Sequence, residues 1–121
     1  MNIEEYRQFC LSLPGTEEGF PFDEETLVFK VKGKMFSATN VDSYELINVK
    51  CNPEKAIMLR EQYEWVVPAY HMNKKHWNSI KTDHPELTDE LLKEWISDSY
   101  HLVVANLPRK VRDELQKEGL R

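Results

Sequence analysis

The spacing of apolar residues predicts helices near both ends of the chain and strands in the middle. The first helix carries an apolar stripe at helical spacing, formed by Ile3, Tyr6, Cys10 and Leu13. Asn2 can cap this helix because Glu5 follows three residues later, as in a capping box. Pro14-Gly15 then ends it, so the chain begins with a short amphipathic helix.

Alternating positions between residues 27 and 50 predict an antiparallel meander of three or four strands. Leu27–Val31 is rich in β-formers, Lys32-Gly33 supplies a two-residue turn, and Lys34–Asn40 follows as the second strand. In that second strand Phe36 and Ala38 alternate with their neighbours. The next strand is predicted at Tyr44–Lys50. A short edge strand is expected within Thr16–Glu25, at Phe20-Pro21-Phe22, because proline cannot donate to a central ladder.

Three further helix starts are marked by capping residues or by proline. Asn52 followed by Pro53 opens a helix to about Tyr63, and Thr88 caps the longest helix. Pro108 starts a terminal helix that Gly119 stops. Between the second and third helices, an apolar segment (Trp65–Tyr70) and a further strand (His76–Lys81) flank a polar loop. The chain is therefore predicted to be α+β.

The composition indicates a single folded domain that covers residues 1–121. Hydrophobic residues make up 40% of the 121, which is enough for one core. No run reaches the roughly 18 apolar residues that span a bilayer, and the N-terminus lacks a signal-peptide pattern, so a cytosolic protein is expected. Cys10 and Cys51 are expected to remain thiols. The expected form is a monomer.

Charge is unevenly distributed along the chain, although the total is −5. Residues 1–26 hold seven acids and one base, residues 27–82 five acids and nine bases, and residues 83–121 nine acids and six bases. The middle segment is thus the basic part, with a net charge of +4 against −6 and −3 on either side. A protein that grips nucleic acid by bulk positive charge is disfavoured, but a local basic surface is not.

Sequence motifs of catalysis or of cofactor binding are absent. The chain has only four glycines and lacks phosphate-cradling loops and nucleophile elbows. His71 and His76, with Cys51, make an unconvincing metal site because Lys74 and Lys75 lie between the two histidines. The acids of residues 17–25 lack the fixed spacing of a calcium loop and are interpreted as a solvated face. No catalytic residue, metal or cofactor is therefore predicted.

The most informative segment is Tyr70–Trp77, which mixes cations, hydrogen-bond donors and aromatic rings within eight residues. Such a mixture suits a phosphate backbone beside a stackable base. The hairpin and the third strand add four lysines, Lys30, Lys32, Lys34 and Lys50. If these strands share a sheet, the alternating lysines can form one basic face, although Lys32 lies in the turn and the pattern does not fix its direction. The competing interpretation places Trp77 and Tyr70 in the core and leaves the lysines as ordinary solvated charges. For the two aromatic residues the core is favoured.

From about Cys10 to Leu115 the chain resembles the MmcQ/YjbR family of small bacterial proteins. The shared segments are Leu13-Pro14-Gly15, Lys34-Met35-Phe36, Lys50-Cys51 with Pro53-Glu54, Tyr70–Trp77, Ser99-Tyr100 with Val103, and Leu107-Pro108. The resemblance implies a fold like that of frataxin and its bacterial relative CyaY, with helices packed on one face of an antiparallel sheet.

The same resemblance implies DNA binding of a "double wing" type, in which β-hairpins supply the wings, and it brings no catalytic residue. The nucleic-acid-binding residues that it implies are Lys34, Lys50, Lys74, Lys75, His76 and Trp77. Two alternatives stay open. One is an iron-binding or iron-delivery protein, by analogy with frataxin, and the other is an adaptor that docks an acidic protein partner.

Overall fold

The computed structural model describes residues 1–119, which form a six-stranded antiparallel sheet and four helices. The strands are β1 (Thr16–Gly19), β2 (Thr26–Val31), β3 (Lys34–Asn40), β4 (Leu46–Lys50), β5 (Val66–Pro68) and β6 (Trp77–Lys81). The helices are α1 (Ile3–Ser12), α2 (Pro53–Gln62), α3 (Asp89–Ala105) and α4 (Arg109–Lys117). Across the sheet the order is β1-β2-β3-β4-β6-β5. This confirms the predicted α+β class, although the likeness to frataxin stays a prediction.

The helix starts follow the predicted capping chemistry. Asn2 Oδ1 accepts the Glu5 N–H at 2.8 Å, and Glu5 Oε1 accepts the Asn2 N–H at 3.0 Å, which completes a capping box. Asn52 Oδ1 accepts the Glu54 N–H at 3.0 Å. Thr88 Oγ1 accepts the Leu91 N–H at 3.1 Å. None of the four helices within residues 1–119 has the length and apolar character needed to cross a membrane.

Helices α1 and α3 pack on the same face of the sheet through a fully buried aromatic cluster. The Tyr6 ring meets Phe29 of β2 edge to face, with 5.3 Å between ring centroids, and Tyr100 of α3 meets Phe36 of β3 in the same way at 5.3 Å. The Tyr6 hydroxyl lies 2.7 Å from Ser37 Oγ, so the buried phenol also has a polar partner.

Helix α2 covers the same face beside β6. Ser37 is opposite Val49 of β4, and Val49 is opposite Asn78 of β6, so these three residues share a face. Asn78 Nδ2 donates to the Ala56 carbonyl oxygen of α2 at 3.2 Å. Helices α1, α2 and α3 therefore lie on one face, as predicted.

A β-bulge changes the alternation predicted for β3. Phe29 pairs with Ser37 whereas Lys30 pairs with Met35, so Phe36 is an extra residue without a partner in β2. Phe36 and Ser37 both turn toward the helices as a result. The prediction that they face opposite sides is wrong because the inserted residue breaks the period of two.

The predicted meander of three or four strands is confirmed as β1 to β4, and β6 with β5 extends the sheet beyond it. Two strand boundaries differ from the prediction. The edge strand is Thr16–Gly19, and the predicted Phe20-Pro21-Phe22 follows it in a loop, where Phe22 is 69% exposed. Strand β4 begins at Leu46 instead of Tyr44, because Tyr44 has a φ of 48°, which belongs to a turn.

Candidate functional site

Three of the predicted site residues meet at one end of the sheet. Strand β3 begins at Lys34, its antiparallel neighbour β4 ends at Lys50, and β6 begins at Trp77, which pairs with Lys50. All three residues line one open depression of about 410 Å³, closed on its other side by Val103, Asn106 and Leu107 at the end of α3. Antiparallel pairing thus brings together residues that are far apart in the sequence.

The loop from Ala69 to His76 carries the other predicted residues into the same end of the sheet. Asn73 organises its turn: Asn73 Oδ1 accepts the Lys75 N–H at 3.0 Å, and the Asn73 carbonyl oxygen accepts the Trp77 N–H at 2.9 Å. Lys74 and Lys75 are exposed. His76 is half-buried, and its carbonyl oxygen accepts the Cys51 N–H at 2.7 Å. The loop is therefore tied directly to β4 and β6.

Lys34, Lys50, Lys74 and Lys75 are called the basic end below. Among residues 1–119 none of these four lysines forms an ion pair with a carboxylate. Two other lysines are neutralised: Lys32 Nζ lies 2.8 Å from Glu118 Oε1, and Lys55 Nζ lies 2.9 Å from Asp98 Oδ2.

The four lysines of strands β2 to β4 and their turns do not form the single basic face that the sequence allowed. Lys32 belongs to the turn and pairs with Glu118. Lys30 is opposite Glu17 in the register of β1 and β2. Of that set only Lys34 and Lys50 line the depression, whereas Lys30 lines a different one beside Glu17 and Glu18.

The two aromatic residues of the loop segment have different environments. Trp77 is only 8% exposed, which agrees with the core interpretation. Tyr70 is 66% exposed, so the same interpretation is wrong for this residue. Lys74 Nζ lies over the Tyr70 ring, 5.1 Å from its centroid, in a cation–π arrangement. Tyr70 is therefore the accessible aromatic surface next to the basic end.

Ser99 links helix α3 to the strands that carry the two sheet lysines. The last β3–β4 pair is Ser37 with Val49, and beyond it the Ser99 hydroxyl stands between the strands. Ser99 Oγ donates to the Phe36 carbonyl oxygen at 2.6 Å and accepts the Lys50 N–H at 2.8 Å. In the sequence Ser99 is notable only as part of the shared Ser99-Tyr100 segment, because periodicity does not tell which backbone groups a hydroxyl will contact.

Replacing Ser99 by alanine is expected to lower the free energy of unfolding by about 1–3 kcal/mol, because two buried backbone groups lose their hydrogen-bond partner. Amide hydrogen exchange at Lys50 should accelerate in the same variant. The control is Ser97→Ala on the same helix, whose hydroxyl lies 3.3 Å from His101 Nδ1 at an exposed position, with an expected change within about 0.5 kcal/mol. Equal effects of the two substitutions in urea unfolding would refute the bridging role.

The described residues give little support for a metal site or for a reactive thiol. Within residues 1–119 no three His, Cys, Asp or Glu side chains are close enough together to hold a metal ion. Glu18 of the acidic N-terminal part is held by Arg7, and that guanidinium lowers the pKa of the carboxyl. Cys10 and Cys51 are both buried free thiols, and burial raises the pKa of each.

Both thiols are expected to react slowly with Ellman's reagent in the folded protein. Because the thiolate is the reactive form and both groups are buried, reaction at about pH 8 should be roughly 100-fold or more slower than in guanidinium chloride. Cys51 should react first, because the positive charge of Lys55 partly opposes the rise in its pKa. Rapid reaction of either thiol without denaturant would contradict the described burial.

Comparison with known proteins identifies the family. The family model named YjbR matches residues 11–102, which is more than half of the chain. This chain belongs to the YjbR family. The matched segment contains all six predicted site residues as well as Ser99, so the basic end lies wholly within the family domain.

YjbR-family relatives cover nearly the whole chain. Protein YbdF of Escherichia coli O157:H7, described as uncharacterized, is 37% identical over 108 residues, covering 88% of both chains. Protein YjbR of Escherichia coli K12, described in the same way, is 32% identical over 113 residues, covering 93% of this chain and 95% of its own.

Solved structures of similar proteins show the same fold. The crystal structure of Deinococcus radiodurans protein DR2400, with the domain DUF419, superposes with a TM-score of 0.88 at 36% identity, covering 99% of this chain and 89% of its own. A Pseudomonas syringae protein superposes with a TM-score of 0.70 at 24% identity, covering 84% of this chain and 98% of its own. The second likeness concerns the fold alone.

Proposed function

We propose that this YjbR-family protein is a non-catalytic, monomeric, cytosolic domain that binds nucleic acid, DNA first of all, through its basic end. The observation that carries the proposal is the meeting of Lys34 and Lys50 around one depression, with Lys74 and Lys75 in the adjoining loop. All four ammonium groups are without carboxylate partners in residues 1–119. Such groups can neutralise phosphates and release condensed counterions.

Two carboxylates that would repel a phosphate, those of Asp23 and Glu45, lie at the other end of the strands from the basic end. Glu45 immediately precedes β4, whereas Lys50 ends it. Asp23 lies in the loop before β2, at the same end of the sheet as Glu45. A phosphate approaching Lys34 and Lys50 is therefore separated from these carboxylates by the length of the strands.

The exposure of Tyr70 rather than Trp77 changes the roles expected of the aromatic residues in nucleic-acid binding. Trp77 is too buried for a base to stack on its face, so its part is to position the start of β6. Tyr70 offers an exposed ring beside Lys74, which suits a base next to a contacted phosphate. His76 is left as a hydrogen-bond donor at the rim of the site.

The test is fluorescence anisotropy with short labelled double-stranded and single-stranded DNA at about 50 and 200 mM salt. If all four lysines contact phosphates of double-stranded DNA, a slope of about −3.6 in log affinity against log salt weakens binding roughly 150-fold across this range. The Lys74→Ala/Lys75→Ala variant should halve that slope, which leaves roughly a 12-fold change over the same range.

The matched control is Lys93→Ala/Lys117→Ala, which removes the same net charge from α3 and α4. Its affinity and salt slope should stay close to those of the unchanged protein. Absence of binding at about 50 mM salt, affinity independent of salt, or equal losses in the two double variants would each exclude the proposal.

Poly-L-glutamate separates nucleic-acid binding from docking of an acidic protein partner. A phosphate site backed by Tyr70 should prefer single-stranded DNA over poly-L-glutamate of equal charge, because only DNA supplies bases that stack. The preference should fall in Tyr70→Ala. Equal affinity for both polymers would favour the adaptor instead.

A further inference from the structure

A cleft crosses the face of the sheet that lies opposite helices α1, α2 and α3. Val28, Ala38 and Asn48 are paired in register across β2, β3 and β4, and each is a strand neighbour of a residue that faces the helices. The cleft above Ala38 and Asn48 has a volume of about 490 Å³. Its walls are two loops, one carrying Phe22 and Asp23 and the other carrying His71 and Met72.

Apolar side chains form much of the cleft surface. Its apolar lining comprises Phe22, Met35, Ala38, Leu46 and Met72. Phe22 is 69% exposed and Leu46 is 38% exposed. Burying such large apolar side chains would be favourable, so their exposure beside a cleft is typical of a ligand-binding surface. A ligand with a flat apolar body would cover both.

The charge of the residues that line the cleft favours a positively charged ligand. Asp23 and Glu45 contribute two carboxyl groups, and neither lysine nor arginine lines the cleft. Asp23 Oδ1 accepts the N–H groups of Glu25 and Thr26 at 2.8 and 2.6 Å, and these hydrogen bonds lower the pKa of the carboxyl. Glu45 has no cationic partner among residues 1–119. The cleft therefore attracts a cation and repels phosphates.

A polar group on the floor of the cleft, the amide of Asn48, has a fixed orientation. Ser79 Oγ donates to Asn48 Oδ1 at 2.5 Å, which fixes the amide so that Nδ2 is the atom left over. The side-chain hydrogen bonds of Asn48 within residues 1–119 use its Oδ1 and not its Nδ2. The cleft thus combines apolar walls, carboxylates and one amide donor.

We propose that this cleft binds a small organic cation: an amine attached to a flat aromatic or heteroaromatic body. The ammonium group lies toward Glu45 and Asp23, and the ring lies over Ala38 between Phe22 and Met72. The volume falls within the range of roughly 300–1,000 Å³ that is usual for small-molecule sites. The two carboxylates disfavour phosphates in this cleft, so its ligand differs from that of the basic end, although Met35 lines both depressions.

The test uses two probes of nearly equal size and opposite charge: 1-naphthylmethylamine and 1-naphthylacetate. Binding to the full chain is followed by amide chemical shifts at about pH 8. The amine should bind at least about tenfold more tightly than the acetate, with shifts centred on Ala38, Leu46 and Asn48. Equal affinities, no binding of the amine, or shifts centred elsewhere would overturn the proposal.

Matched glutamate variants locate the charge effect. Glu45→Gln should reduce the preference for the amine to about threefold or less, whereas Glu61→Gln on α2 should leave it unchanged. An unchanged preference in Glu45→Gln would overturn the assignment. Lys74→Ala/Lys75→Ala should bind the amine normally, so failure of nucleic-acid binding and failure of this site are separate results.

Discussion

Phe36→Ala is expected to lower the free energy of unfolding by about 3–5 kcal/mol, the cost of emptying a fully buried aromatic position. Phe36 has no exposed surface, and its ring contacts Tyr100 edge to face. It is also the bulge residue that joins the sheet to α3, because its carbonyl oxygen accepts from Ser99. Urea unfolding followed by tryptophan fluorescence measures the loss.

The matched control is Phe22→Ala, the same substitution at a position that is 69% exposed. Its expected change lies within about 0.5 kcal/mol, because little apolar surface is lost from the core. A loss below about 1.5 kcal/mol for Phe36→Ala would show that the bulge does not bury this ring as described.

Gly15→Ala is expected to destabilise the protein by about 2–4 kcal/mol, which combines left-handed backbone strain with overpacking. Gly15 has a φ of 74°, and a Cβ atom there would lie 2.5 Å from Leu115 Cδ2. Leu115 of α4 is fully buried, so its side chain has little room to withdraw. Equilibrium unfolding in urea gives the cost.

Two comparisons separate the strain from the overpacking. Gly33→Ala places a methyl group at a φ of 80° with nothing within 4 Å, so only the strain of about 1–2 kcal/mol is expected. In a Leu115→Ala background the cost of Gly15→Ala should fall to that same level, because the clashing atom is gone. An unchanged cost in that background would rule out the contact with α4 as the cause.

Local structure was predictable wherever a few neighbouring residues decide it. Asn2 with Glu5, Asn52 with Pro53, and Thr88 each cap a helix through hydrogen bonds closed within three residues. The Lys32-Gly33 turn needs positive φ at both positions, and the structure has φ values of 49° and 80° there.

The candidate site was predictable in its residues but not in its assembly. The basic segment around Lys74 and Lys75 is visible in the sequence, as are the lysines of the predicted strands, from which the family resemblance selected Lys34 and Lys50. Their meeting depends on the strand order and on the register that pairs Lys50 with Trp77. The cleft depends on two loops that are about 50 residues apart in the sequence, for which no local pattern exists.

The amino-acid sequence by itself determined the helix starts, the central hairpin, the α+β class and the basic character of the middle segment, because these properties rest on short-range chemistry. Only the tertiary structure decided the bulge at Phe36, the neutralisation of Lys32 by Glu118 and the exposure of Tyr70. Each of these depends on which distant groups come into contact. Such contacts follow from packing the whole chain around one core, and the sequence pattern within any single element does not specify them.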